Sequence, residues 1–259
     1  YSMLSEKEKA FDEIESIIKK NTDDLNYILL LGDLYLQDGQ AGRALEQYEQ
    51  VKAIDPDHPS LVLSMVNYYE KSGEQGKAQD EMHAALMNPM FEVDMKLELL
   101  TRYISQLQRD QVDTKSVNPL FSTLFDQHPN NAQLRFLYGS VLMLQNNKAD
   151  AMKEFEIYTK AEPENPAGWE QMLRIALPDS LDRVIAITEE ALKYLPEEYQ
   201  FYYYLGGSKF QQEKYKEALA IFEEGLEVIE DENPAMKSNF YGQIGDLHYQ
   251  LGDIDLAFE

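Results

Sequence analysis

The chain has 259 residues, with 47 acidic against 23 basic side chains and a formal net charge of −24. So anionic a surface repels phosphate backbones and acidic lipid headgroups, which sets aside nucleic acid and membrane insertion. There is no cysteine, which excludes disulfides, thiolate metal sites and cysteine nucleophiles, and the longest clean aliphatic stretch, Ile28 to Leu31, is far short of the roughly 20 residues that span a bilayer.

Residues 4–21 open the chain with Ala10, Ile14 and Ile17 at helical spacing. They lie one period of about 34 residues before Ala44, Tyr48 and Val51, and so predict the second helix of a preceding hairpin. The first full unit is 25–58. Ile28, Leu31, Leu34 and Tyr35 mark one helix, Ala44, Leu45, Tyr48 and Val51 the next, with Asp38-Gly39 between them and Pro56 after. In 59–90 the pattern is degenerate, with Val66, Ala78 and Met82 in the places of Gly32, Ala44 and Tyr48, and Ser72-Gly73 at the turn. The loosest unit is 91–131, where Ser105 and Val117 take the small-residue places and Phe121 the aromatic one. In 132–165 the pattern returns as Gly139, Asn146-Asn147, Ala151, Phe155 and Pro163, and 166–198 offers Trp169, Met172, Leu173 and Val184. Residues 199–237 carry Gly206, Ala218 and Phe222 behind the run Tyr199 to Tyr204, whose consecutive aromatics cannot all face one core. The acidic run Glu230-Asp231-Glu232 before Asn233-Pro234 reads as a loop. In 238–259, Gly245, Gly252 and Ala257 start another unit that stops before its aromatic. The expectation is a segment of a longer array, opening and closing halfway through a hairpin.

The spacing has a physical reason. A glycine inside a helix costs about 1 kcal/mol relative to alanine, so its recurrence calls for a compensating close approach of two helices. The twelve-residue step from glycine to alanine predicts that the alanine of the second helix faces the glycine of the first. A left-handed cap at each turn ends the first helix, and the proline after the second starts the link to the next hairpin.

Leu31-Gly32, Tyr35, Ala44, Tyr48 and Pro56 resemble the tetratricopeptide repeat signature, as do Tyr138-Gly139, Ala151, Phe155 and Pro163, while Trp169 with Met172 resembles its opening pattern. The resemblance covers about the whole chain. It implies an all-α fold, a right-handed α-α superhelix or solenoid of helical hairpins, and a protein-interaction scaffold that takes a peptide or partner protein in its concave groove. A regulatory or assembly arm of a larger multidomain enzyme or signalling protein is the alternative, and self-association through uncapped ends is a third reading.

Projected from the glycines, the groove positions lie three before, one after, and four or five after. They select Leu29, Asp33 and Leu36; Asn67 and Lys71; Phe136, Ser140 and Met143; and Tyr203, Phe210 and Gln211. Lysine, asparagine and arginine clamps used by some family members on carboxylate tails are not reproduced at Leu29 and Asp33. The four histidines are spread singly, with no second ligand at a helical step, so no metal is implied; His58 and His128 flank link prolines and are expected at the surface. Adjacent acids such as Glu189-Glu190 point in different directions on a helix and do not make an acid and base pair. No phosphate loop or nucleophile elbow is present, so neither catalysis nor a cofactor is expected. A soluble chain of the cytoplasm or periplasm fits this composition, and sequence does not choose between the two.

Overall fold

At six places the chain ends a helix in one hydrogen-bond pattern, and these six turns organise the molecule. A residue in the left-handed region, Gly39, Gly73, Gln111, Asn146, Glu213 or Gly252 (φ +56° to +88°), lets the next amide reach back five residues. The bonds run from Gln40 N to Tyr35 O at 2.8 Å, Glu74 to Tyr69 at 2.8 Å, Val112 to Leu107 at 2.9 Å, Asn147 to Leu142 at 2.8 Å, Lys214 to Lys209 at 3.0 Å and Asp253 to His248 at 2.9 Å. This closure satisfies the last carbonyls of the first helix and reverses the chain. The expected turns at Gly39, Gly73, Asn146 and Gly252 are all among them.

The computed structural model describes residues 2–20, 24–229 and 233–258, which contain fourteen α-helices and no strand. The acidic run 230–232 and the side chain of Ala10 lie outside the described residues. Two compact units divide the chain, Tyr1–Asn130 and Asn131–Glu259. The first unit holds α1 (Ser2–Lys20), α2 (Leu25–Gln37), α3 (Ala41–Ile54), α4 (Pro59–Lys71), α5 (Gln75–Met87), α6 (Val93–Arg109) and α7 (Asn118–Gln127), with a 3-10 turn at Thr114–Val117. The second holds α8 (Ala132–Leu144), α9 (Lys148–Ala161), α10 (Pro166–Ala176), α11 (Leu181–Ala191), α12 (Tyr199–Gln211), α13 (Tyr215–Glu227) and α14 (Pro234–Leu251). Each unit is an all-α stack of antiparallel hairpins, the local architecture of a helical solenoid. Side-chain caps start many of the helices: Asp24, Asn131, Asn147, Asn165, Ser180 and Asn233 each accept from a backbone amide two or three residues on.

In three of the hairpins the glycine does admit a close neighbour, but that neighbour is the aromatic. A Cβ on Gly32 would stand 2.5 Å from the Tyr48 ring, on Gly139 2.7 Å from Phe155, and on Gly206 2.7 Å from Phe222. The sequence expectation that alanine faces glycine is corrected here. Ala44, Ala151 and Ala218 are fully buried, yet it is the ring four residues on that reaches across to the bare backbone. In the third hairpin the bond from Val112 to Leu107 puts Ile104, 5% exposed, at the glycine's place, so Ser105 is shifted one position outward and exposed.

Polar ties hold α5, α6 and α7 together. Lys96 is fully buried and donates to Gln127 Oε1, whose own amide donates to the Met87 carbonyl at 3.1 Å. Burial pushes the Lys96 pKa down. His58 and His128, expected at the surface, are half-buried in the links instead.

Candidate partner-binding face

The two units use the face of their first helices differently. In the first unit Leu29 and Leu36 are core residues, 2% and 5% exposed, in a cluster that Phe11, Ile14 and Ile18 of α1 join. Their assignment to an open groove is corrected. A helix packed against α2 covers the positions three before and four after Gly32. Asp33 is half-buried and accepts from the Tyr48 hydroxyl at 2.7 Å. Desolvation by burial, the Asp33 hydrogen bond and the Asp33 charge together push the Tyr48 pKa far up.

Farther along, the first-helix face opens between α4 and α6. Arg102 donates to both carboxylate oxygens of Glu70, at 3.2 and 2.6 Å, and to Asn67 Oδ1. This fork fixes Arg102 across the two helices, with the Arg102 and Glu70 side chains 28% and 21% exposed. Around it lies an open cleft of about 790 Å3 lined by Glu70, Arg102, Ser105, Gln108 and Arg109. Ser105, Gln108 and Arg109 stand one, four and five residues after Ile104, the register that defines the inner face once the third hairpin is aligned on its turn. The Arg109 and Lys71 side chains are exposed and make no bond among the described residues. Two cations, Arg102 and Arg109, therefore line one cleft of a strongly acidic chain, and Arg102 is held by its bonds to Glu70 and Asn67.

In the second unit Lys209 bonds Glu189 of α11 at 3.2 Å and Glu217 of α13 at 3.1 Å, which marks the side of α12 turned toward the second helices. Burial opposes the Lys209 charge, but the bonds to Glu217 and Glu189 outweigh it and raise its pKa. Gln200, Tyr204, Gly207 and Gln211 lie roughly 160–220° around the helix from Lys209 and form its first-helix face. Tyr204 is 38% exposed, and a Cβ on Gly207 would enter open space.

Most of the projected aromatic lining is occupied with packing. Tyr203 sits with its ring 5.8 Å from Phe222 and 5.5 Å from Phe240. Phe210 packs edge-on against Tyr215 at 5.5 Å, and Phe136 lies 5.6 and 5.0 Å from Phe155 and Tyr158. Ser140 turns its hydroxyl back to the Phe136 carbonyl at 2.9 Å. Met143 is half-buried, while Gln211 is exposed.

Sequence reasoning missed Arg102, Ser105, Gln108 and Arg109 because α6 has no glycine to set its register. A signal was present: Leu100, Ile104 and Leu107 make one helical stripe, and Arg102, Ser105 and Arg109 make another on a different side. Among the described residues no group of three or more His, Asp or Glu is placed to hold a metal, and no helix is long and apolar enough to cross a membrane.

Comparison with known proteins agrees with these hairpins. A family model described as Tetratricopeptide repeat matches residues 118–166 and 185–235, and a second with the same description matches 25–58. The cytochrome c-type biogenesis protein CycH of Pseudomonas aeruginosa is 31% identical over 111 residues, 41% of this chain, and the match spans only 27% of that protein's length. Similar solved structures include MamA, at 15% identity and TM-score 0.47, over 60% of this chain and 88% of that one. YrrB, described as a TPR protein with an unusual peptide-binding site, has 14% identity and TM-score 0.36, over 87% and 97% of the two chains. PilF of Pseudomonas aeruginosa has 14% identity and TM-score 0.42, over 96% and 89%.

Proposed function

The chain belongs to the tetratricopeptide repeat family, and on that premise we propose that it is a protein-interaction scaffold which binds an extended acidic peptide in the cleft between α4 and α6. The observation that carries this reading is Arg102, held across the cleft by Glu70 and Asn67, with Arg109 in the same lining. A guanidinium fixed before binding loses little side-chain freedom when it meets a carboxylate or a peptide carbonyl. Ser105, whose hydroxyl donates to the Thr101 carbonyl at 2.8 Å, can still accept from a main-chain amide, and the Gln108 amide can pair with main-chain groups. Exposed Lys71 on α4 is a further candidate contact, and Gln211 with Tyr204 offers a second, smaller contact patch on the other unit.

The test is selection of peptides from a random display library on the whole chain, followed by affinity measurement on variants. Binders should be enriched in Asp and Glu, and Arg109→Ala should weaken them about tenfold with unchanged helical circular dichroism. Binders that are neutral or basic, or that tolerate Arg109→Glu, would remove the cleft from consideration.

A second reading rests on the relative in cytochrome c-type biogenesis. On that reading the chain is an assembly arm of a larger protein, and its cleft holds a polypeptide undergoing c-type cytochrome maturation. Apocytochrome c added to the purified chain should then compete with the selected acidic peptides; absence of competition would leave the scaffold reading without this partner.

A further inference from the structure

On the other side of the second unit a trough runs between the second helices α9 and α11, untouched by the reading above. Its floor is apolar: Met172 and Ile175 of α10 are 6% and 4% exposed, and Met152 and Ile187 close it from the two walls. It encloses about 610 Å3, the size of a site that accepts a few large apolar groups. Lining residues on α9 extend from Lys148 to Glu156, a length of about 12 Å or two helical turns. Above the floor both walls are low, because Ala149 on α9 and Ala186 on α11 are exposed and small. Low parallel walls let the body of another helix settle onto the floor, which a side-chain pocket with tall walls would not.

The rim supplies the charge preference. Lys148, Lys153 and Arg183 stand against Glu156 and Asp179 on a chain whose net charge is −24. Asp150 occupies Lys153 at 2.7 Å, whereas the side chains of Lys148 and Arg183 make no hydrogen bond or ion pair among the described residues. One free cation on each wall faces whatever lies in the trough.

We propose that this trough docks an amphipathic α-helix of a partner protein, one that lowers apolar side chains at i, i+3 or i+4, and i+7 onto the methionine floor and flanks them with Asp or Glu opposite Lys148 and Arg183. Met172 on the floor and Met152 on the wall let the trough adapt to the shape of the inserted residues.

The probe is a synthetic helical peptide of roughly five turns with a leucine stripe flanked by glutamates, compared with a twin carrying lysines in their place. Both are titrated into the whole chain carrying 13C-methyl methionine, where Met152 and Met172 are two of 10 methyl signals, assigned with Met152→Leu and Met172→Leu. The glutamate peptide should shift those two signals saturably and bind at least about tenfold more tightly than its lysine twin. This ranking opposes the overall charge of the chain, so non-specific attraction cannot produce it. Lys148→Glu with Arg183→Glu should invert the ranking while the methionine spectrum of the free protein keeps its dispersion. Equal binding of the twins, preference for the lysine peptide, or shifts spread over the other methionines would overturn the proposal, as would a response of Met152 and Met172 to decanoate but not to the peptide.

Discussion

Two adjacent glycines on α12 give opposite expectations for the same substitution. Alanine in place of either glycine gains about 1 kcal/mol of helix propensity. At Gly207 the new methyl enters open space, so that gain should appear undiminished and the chain should be stabilised by about 0.5–1 kcal/mol. At Gly206 the methyl would lie 2.7 Å from one Phe222 ring carbon and 2.9 Å from two others. Phe222 is fully buried, with the Tyr203 ring at 5.8 Å and the Phe240 ring at 5.6 Å, so it has no empty space to swing into. Overpacking of this kind costs about 1–3 kcal/mol. The two single variants should therefore differ by about that amount, Gly206→Ala being the less stable. Urea unfolding followed by circular dichroism measures it, read as the difference between midpoints because repeat arrays need not unfold in two states. Adding Phe222→Leu to Gly206→Ala should cost less than Phe222→Leu alone, since the smaller side chain relieves the contact. Midpoint shifts of the same sign and size at 206 and 207, or strict additivity in the double variant, would refute the argument that the glycine exists to seat the aromatic ring.

Other expectations follow from single contacts. Tyr48→Phe should cost about 1 kcal/mol at neutral pH by removing the bond to Asp33. The Tyr48 pKa is raised in the fold, so its contribution is complete below the ordinary phenol value of 10.0 and is lost as pH rises from there toward the folded value. The variant should accordingly lose less stability than the parent between pH 10 and pH 11, and parallel alkaline unfolding curves would contradict this. Arg102→Met should lower stability by only about 1 kcal/mol, since the pair with Glu70 is partly exposed, and yet abolish binding of the selected acidic peptides in a fluorescence titration. Tyr203→Ala should cost about 2–3 kcal/mol through lost packing on Phe222 and Phe240, whereas Tyr204→Ala, 38% exposed, should stay within about 0.5 kcal/mol in the same melts.

The hairpins were legible because their signals are local. A glycine, a turn residue that tolerates positive φ and an aromatic at fixed steps each record one backbone requirement, and Gly39, Gly73, Asn146 and Gly252 all sit where that reading puts them. Gln111 and Glu213 adopt the same left-handed conformation without advertising it, at φ of 56° and 61°. The third hairpin therefore slipped by one residue, Ser105 for Ile104, and with it went the whole inner face of α6. Local spacing also says nothing of which ring crosses a helix pair, so it does not separate the alanine from the aromatic four residues on as the glycine's partner, which is Tyr48, Phe155 or Phe222. Groove positions were the least legible, because exposure depends on the neighbouring helix: Leu29 and Leu36 obey the projection and are still covered.

That last failure also separates the two kinds of surface in the molecule. At Leu29, Phe136, Tyr203 and Phe210 an apolar first-helix side chain is claimed by a neighbouring helix, since burial of a large side chain is worth roughly 1.5–3 kcal/mol. Other first-helix positions, polar ones and a few apolar ones such as Leu144 and Tyr204, are left open, and they become a site only where something fixes them. On α12 Gln200 and Gln211 have no such support. Between α4 and α6 Arg102 has two anchors on the opposite helix, Glu70 and Asn67, so the cleft presents a guanidinium already in place. Swapping Glu70 and Arg102 would keep a salt bridge across the helices while moving the cation from α6 to α4. If charge alone attracts the peptide, the swapped chain should bind as well as the parent; if the placed fork matters, it should bind far more weakly at equal stability, and an affinity measurement on the swapped protein decides between these.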